Sequence, residues 1–106
     1  VQGQATSTRQ VSEALETVEQ GRGHLYAFHQ LSGRADLLLQ DAVQSLRDAG
    51  HDERADDVQR RLVGRNVLVG RWTYQVVEEY DDGYWAVVRQ VERDAREAIG
   101  GGARHL

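Results

Sequence analysis

The sequence predicts an all-α protein: an antiparallel up-down-up-down four-helix bundle with long first and fourth helices and shorter second and third helices. Three observations predict it. Apolar residues recur at helical spacing along most of the chain. Proline is absent, so no segment is broken by a missing amide donor. Glycines fall between the periodic runs, at Gly33, Gly50, Gly64 and Gly70, where a helix end favours a left-handed residue. A chain of 106 residues makes one helical domain with a single modest core.

Val1–Thr6 is polar and is expected to fray, as are residues 101–106. Ser7 followed by Gln10 fits a capping box that opens the first helix. Val11, Leu15, Val18, Leu25 and Phe28 then keep helical spacing as far as Ser32. Gly21 and Gly23 interrupt the pattern, each at a cost of about 1 kcal/mol relative to alanine. The heptad phase from Val18 to Leu25 favours one helix over a bend. Gly33 is expected to end it. Arg34–Ala49 forms the second helix, with Leu38, Leu39, Ala42, Val43, Leu46 and Ala49 inward and Gly50 closing it. Asp52 caps the third helix, and Ala55, Val58 and Leu62 carry it to about Leu62–Arg65.

Gly64–Gly70 is the least regular stretch. The fourth helix, Val69–Ile99, carries two apolar rows. One is Trp72, Val76, Tyr80, Gly83 and Val87; the other is Val77, Tyr84, Val88, Val91 and Ala95. An acidic run, Glu78, Glu79, Asp81 and Asp82, sits among them. Gly100–Gly102 stops the helix. Short turns favour antiparallel neighbours. The long pair then projects beyond the short pair, leaving apolar surface that a second copy or a partner would cover.

The arrangement of short helices, together with the segment GRNVLVGRWTYQVVEEYDDGYW at Gly64–Trp85, resembles an uncharacterised family of small actinobacterial helical proteins. The resemblance implies a bacterial, soluble, helical protein and carries no activity or site residues with it.

Composition narrows the chemistry. With no cysteine, disulfides, thiolate catalysis and cysteine-based zinc sites are excluded. Every basic residue is arginine, which suggests a GC-rich bacterial coding sequence. The absence of methionine leads us to expect a processed or truncated start. No apolar run approaches the ~20 residues of a membrane span, so a cytoplasmic location is expected. A net charge of −4 argues against a dedicated nucleic-acid binder.

Three groups are candidates for function. If the long helices are antiparallel with Ser7 level with Ala98, equal rise puts His24 level with Asp81 and His29 level with Val76. Asp41 comes near the level of His24 from the second helix. His24 with Asp41, Glu78 and Asp82 would then suit a divalent metal or acid–base chemistry. The simpler reading has His24 at the margin of the apolar face, paired with a carboxylate. The Glu-x-x-His motif of di-iron bundles is missing, and no other cofactor is implied.

The second group is Arg65, Asn66 and Arg71, which would hold an anion beside the start of the fourth helix. Their neighbours Arg60 and Arg61 follow Asp56 and Asp57 by four residues, the favourable order for helix ion pairs. The third group is aromatic. Most of it reads as core, but Tyr74 and Trp85 fall at the edges of the stripe and would anchor an interface if exposed. Glu13, Glu16 and Glu19 read as solvated, with Glu19 able to pair with Arg22.

These residues read most simply as a non-enzymatic helical module that forms a homodimer or binds a protein partner. An enzyme built around His24 and an anion binder built on Arg65 and Arg71 are the alternatives.

Overall fold

A computed structural model describes residues 2–100. The termini outside that range, including the expected fraying of Val1 and of residues 101–106, lie beyond the described residues. The chain is all-helical. Helix α1 runs Gln2–Asp48, α2 runs Asp52–Arg61, and α3 runs Thr73–Tyr80. A π-helical turn at Asp81–Trp85 leads without a loop into α4, Ala86–Gly100. Among the described residues the only strand-like pairing is an isolated antiparallel bridge between Leu68 and Arg71.

The four-helix bundle is therefore corrected to three helical stretches, because the expected first and second helices are one. Gly33 lies inside α1 with ordinary helical backbone. A lone glycine costs about 1 kcal/mol in a helix, which a continuous packing face can offset. That face exists. The less exposed residues Val18, Arg22, Leu25, His29, Ser32, Asp36, Leu39, Val43 and Leu46 alternate three and four apart straight through Gly33. Ser7 is likewise not a cap, since the helix already runs from Gln2.

Gly50 does end α1. It stands at φ +83°. Its N–H donates to the Arg47 carbonyl at 3.0 Å, and the His51 N–H donates to the Leu46 carbonyl at 2.7 Å. This is the Schellman arrangement, which satisfies the last carbonyls of the helix. A Cβ at Gly50 would meet no neighbour within 4 Å, so only the backbone conformation is at stake. Gly50→Ala is expected to lower stability by about 1–2 kcal/mol, the cost of a left-handed L-residue. An unchanged urea midpoint would show that the turn tolerates another conformation.

Asp52 is the first residue of α2 rather than its cap. His51 holds the cap position and makes no side-chain capping bond. The carboxylate still sits at the positive helix start.

The contacts divide the chain into two compact units, Val1–Leu25 with Val77–Leu106, and Tyr26–Val76. In the first, the start of α1 runs antiparallel to the π turn and α4, as the Ser12–Glu92 and Arg22–Asp81 pairs show. Val77 and Glu92 are buried there among the described residues. In the second, the rest of α1 packs with α2 and the loop after it. Val43 and Ala55 are buried there. Arg47 pairs with Asp56 at 2.9 Å, the Gly64 N–H donates to Asp36 at 2.8 Å, and His29 meets Thr73 at 2.6 Å. Asp57 takes both Arg60 and Arg61, so the expected Asp56–Arg60 pair is replaced by Asp56–Arg47.

The π turn corrects the apolar rows expected on the last helix. A π turn inserts residues beyond the α-helical count and rotates the helix beyond it. Tyr84, Val87 and Val91 are exposed, while Trp85, Val88 and Ala95 are less exposed and Glu92 is buried. The helix itself starts at Thr73 rather than Val69.

Candidate functional site

The densest polar geometry lies in the first unit, at the π turn. Arg22 comes off α1 and donates to both oxygens of Asp81, from Nε to Oδ1 at 2.8 Å and from Nη2 to Oδ2 at 2.9 Å. This two-bonded fork is the strong form of the pair. The same guanidinium lies 4.6 Å from the centre of the Trp85 ring, and Arg89 lies 4.1 Å from it. Two cations thus lie against Trp85, each attracted by the negative face of its ring. Its indole N–H is enclosed and meets no acceptor among the described residues.

The hydrogen bonds from Arg22 hold the Asp81 carboxyl below its ordinary range. Burial opposes the shift, and the charges of Arg22 and Arg89 add to it. A carboxyl whose folded pKa is depressed stabilises the fold fully above its unfolded value. That contribution is lost as pH falls through the folded value. Asp81→Asn is therefore expected to flatten the acid side of the stability profile, below the ordinary aspartate pKa of ~3.9. Urea midpoints measured across that range check it. An acid limb that stays as steep in the variant would assign it to other carboxylates.

Further along α4 lies a second polar group. Glu92 is only 6% exposed. It accepts from the Ser12 hydroxyl at 2.7 Å, and Arg96 approaches it at 3.7 Å. The Nε of Arg96 is enclosed without an acceptor among the described residues. Ser12, Glu16, Glu19, Arg89, Arg93 and Arg96 border a polar groove of about 440 Å³ beside it. The groove lining thus mixes arginines with glutamates, and the Ser12–Glu92 bond joins the start of α1 to α4 across it.

Sequence reasoning assigned Arg22 to Glu19 and passed over its fork to Asp81, Trp85 as a packed residue, and the Ser12–Glu92 pair. One signal was available. Arg22 stands between Val18 and Leu25 on their own heptad row, so its head is directed at the neighbouring helix.

The predicted metal residues are not brought together. His24, Glu78 and Asp82 belong to the first unit and Asp41 to the second. His24, Asp41 and Glu78 are exposed. Among the described residues no group of three or more His, Asp or Glu side chains is placed to hold a metal ion. The carboxylate expected level with His24 is engaged by Arg22 instead.

Of the anion candidates, Arg65 is exposed and Asn66 borders the same shallow hollow as Leu39 and Leu62. Arg71 closes a turn through its N–H to the Leu68 carbonyl at 3.0 Å, with Gly70 at φ +73°. One N–H at the start of α3, that of Trp72, is already taken by the Gln75 side chain at 2.7 Å. This is the reverse half of a capping box. Tyr74 is exposed, as its edge position implied, whereas Trp85 is half-buried with Arg22 and Arg89 against its ring.

Glu13, Glu16 and Glu19 are exposed, and Arg9 approaches Glu13 at 3.9 Å. Among the described residues no helix is long and apolar enough to cross a membrane. Comparison with protein-family models, with curated proteins and with solved structures found no match.

Proposed function

We propose that this protein is a non-enzymatic helical interaction module that works by self-association or by binding another protein. One observation carries the reading. Among the described residues the buried apolar core is Val43, Ala55 and Val77, while fifteen large apolar side chains are exposed. Scattered exposed apolar residues are ordinary on folded proteins, but ordered rows of them mark interaction surfaces.

Two such rows occur. Phe28, Leu31 and Leu38 stand on α1, and Tyr84, Val87 and Val91 stand on the π turn and α4. Tyr74, 50% exposed, remains an aromatic anchor in this reading. Trp85 does not, because it is half-buried with two arginine guanidiniums against its ring. The expected setting is a bacterial cytoplasm, and the simplest assembly is a homodimer.

Sedimentation equilibrium from nanomolar to high micromolar concentration tests the proposal. The weight-average mass should rise from that of one chain toward that of two. A single-chain mass at every concentration would overturn self-association and leave only a different protein as partner.

A further inference from the structure

The exposed row on α1 has an internal pattern that says what covers it. Phe28, Leu31, Ala35, Leu38, Ala42 and Ser45 alternate three and four apart, the spacing of a coiled-coil seam. This row is separate from the one that carries Val43, which faces inward. Phe28 is 49%, Leu31 61% and Leu38 56% exposed. Phe28 and Leu31 at one end are large, Ala42 and Ser45 at the other are small, and Ala35 and Leu38 lie between them. Arg34 and Asp41 flank it on one side, both exposed.

We infer that a second copy of this chain docks on this row, antiparallel, with the two-fold axis passing between Asp36 and Leu37. The inference rests on the self-association reading above and assigns it a surface and a register. In that register each layer sets a large side chain against a small one. Leu31 meets the partner's Ala42, Leu38 meets the partner's Ala35, and Phe28 meets the partner's Ser45. Large set against small in each layer lets the two faces interdigitate without voids.

The flanking charges choose the same register. Arg34 comes beside the partner's Asp41, and by symmetry Asp41 beside the partner's Arg34. Sliding by one heptad in one direction faces Arg34 with Arg34, and in the other direction Asp41 with Asp41. Like charges at those positions disfavour both. A parallel in-register pair would set Ala35 against Ala35 and Ala42 against Ala42, leaving under-filled layers.

Single cysteines introduced into this cysteine-free chain test the register. A mixture of Leu31→Cys and Ala42→Cys proteins should oxidise to the mixed disulfide dimer. Neither variant alone should cross-link, because its own copies lie about 16 Å apart along the axis. Arg34→Asp should weaken association by about tenfold or more, since each charge pair occurs twice. The double exchange Arg34→Asp with Asp41→Arg should restore it. Circular dichroism on each variant confirms that the helices are intact.

If the protein self-associates but the mixed disulfide does not form and Arg34→Asp leaves the dissociation constant unchanged, the register is wrong while the module reading stands. If Ala42→Cys cross-links readily with itself, the antiparallel arrangement is wrong. If the unmodified protein stays monomeric throughout, both readings fall together.

Discussion

Arg22→Ala lowers the unfolding free energy by about 2–3 kcal/mol, the loss expected for hydrogen bonds to a charged group together with a cation–ring contact. For a domain of this size that moves the thermal midpoint down by roughly 10 °C or more. The side chains of Arg22 and Asp81 are 27% and 26% exposed, so water screens the pair only partly and a fully buried value would be too large. Two comparisons isolate the mechanism. Arg89→Ala removes the second cation against Trp85 and should cost about 0.5–1 kcal/mol. In a double-mutant cycle, Arg22→Ala and Asp81→Ala should couple by about 1–2 kcal/mol. Arg22→Ala no more costly than Arg89→Ala would mean that the fork contributes nothing net.

This pair also shows how far the sequence could be read. Setting Ser7 level with Ala98 places residue 24 opposite Asp81. The structure pairs Arg22 with Asp81 and Ser12 with Glu92, within about two residues of that alignment. Axial position was legible because both helices rise by the same amount per residue. Rotational position was not. The π turn at Asp81–Trp85 shifts the face of everything after it, sending Tyr84 outward and Trp85 inward. Nothing in the spacing of apolar residues announces one extra residue in a turn.

Gly33 misled for a different reason. Its neighbours on the packing row are polar, namely His29, Ser32 and Asp36, so the row stops being apolar where only its composition changes. Two of those residues find specific partners: His29 meets Thr73, and Asp36 accepts from the Gly64 N–H. A hydrophobic pattern cannot reveal a face held partly by hydrogen bonds. Among the described residues no three His, Asp or Glu side chains gather for a metal; sharing a level does not mean sharing a face.

The second large effect comes from comparing two residues of α1 twelve positions apart. Val43 is 7% exposed and Leu31 is 61% exposed. Val43→Asp buries an unpaired charge against a core with few other buried residues, at a cost of about 3 kcal/mol or more. A small domain has only about 5 kcal/mol at the low end of the usual range, so the variant should lose cooperative thermal unfolding by circular dichroism. Leu31→Asp puts the same charge on the exposed row. In dilute solution it should leave stability within about 0.5 kcal/mol of the parent. Its effect should appear only with concentration. The parent's midpoint should rise as association removes monomer from the unfolding equilibrium, and the variant's should not. A Leu31→Asp protein that unfolds in dilute solution as readily as Val43→Asp would put the row in the core of a single chain. Loss of the concentration dependence alone would put it between two chains.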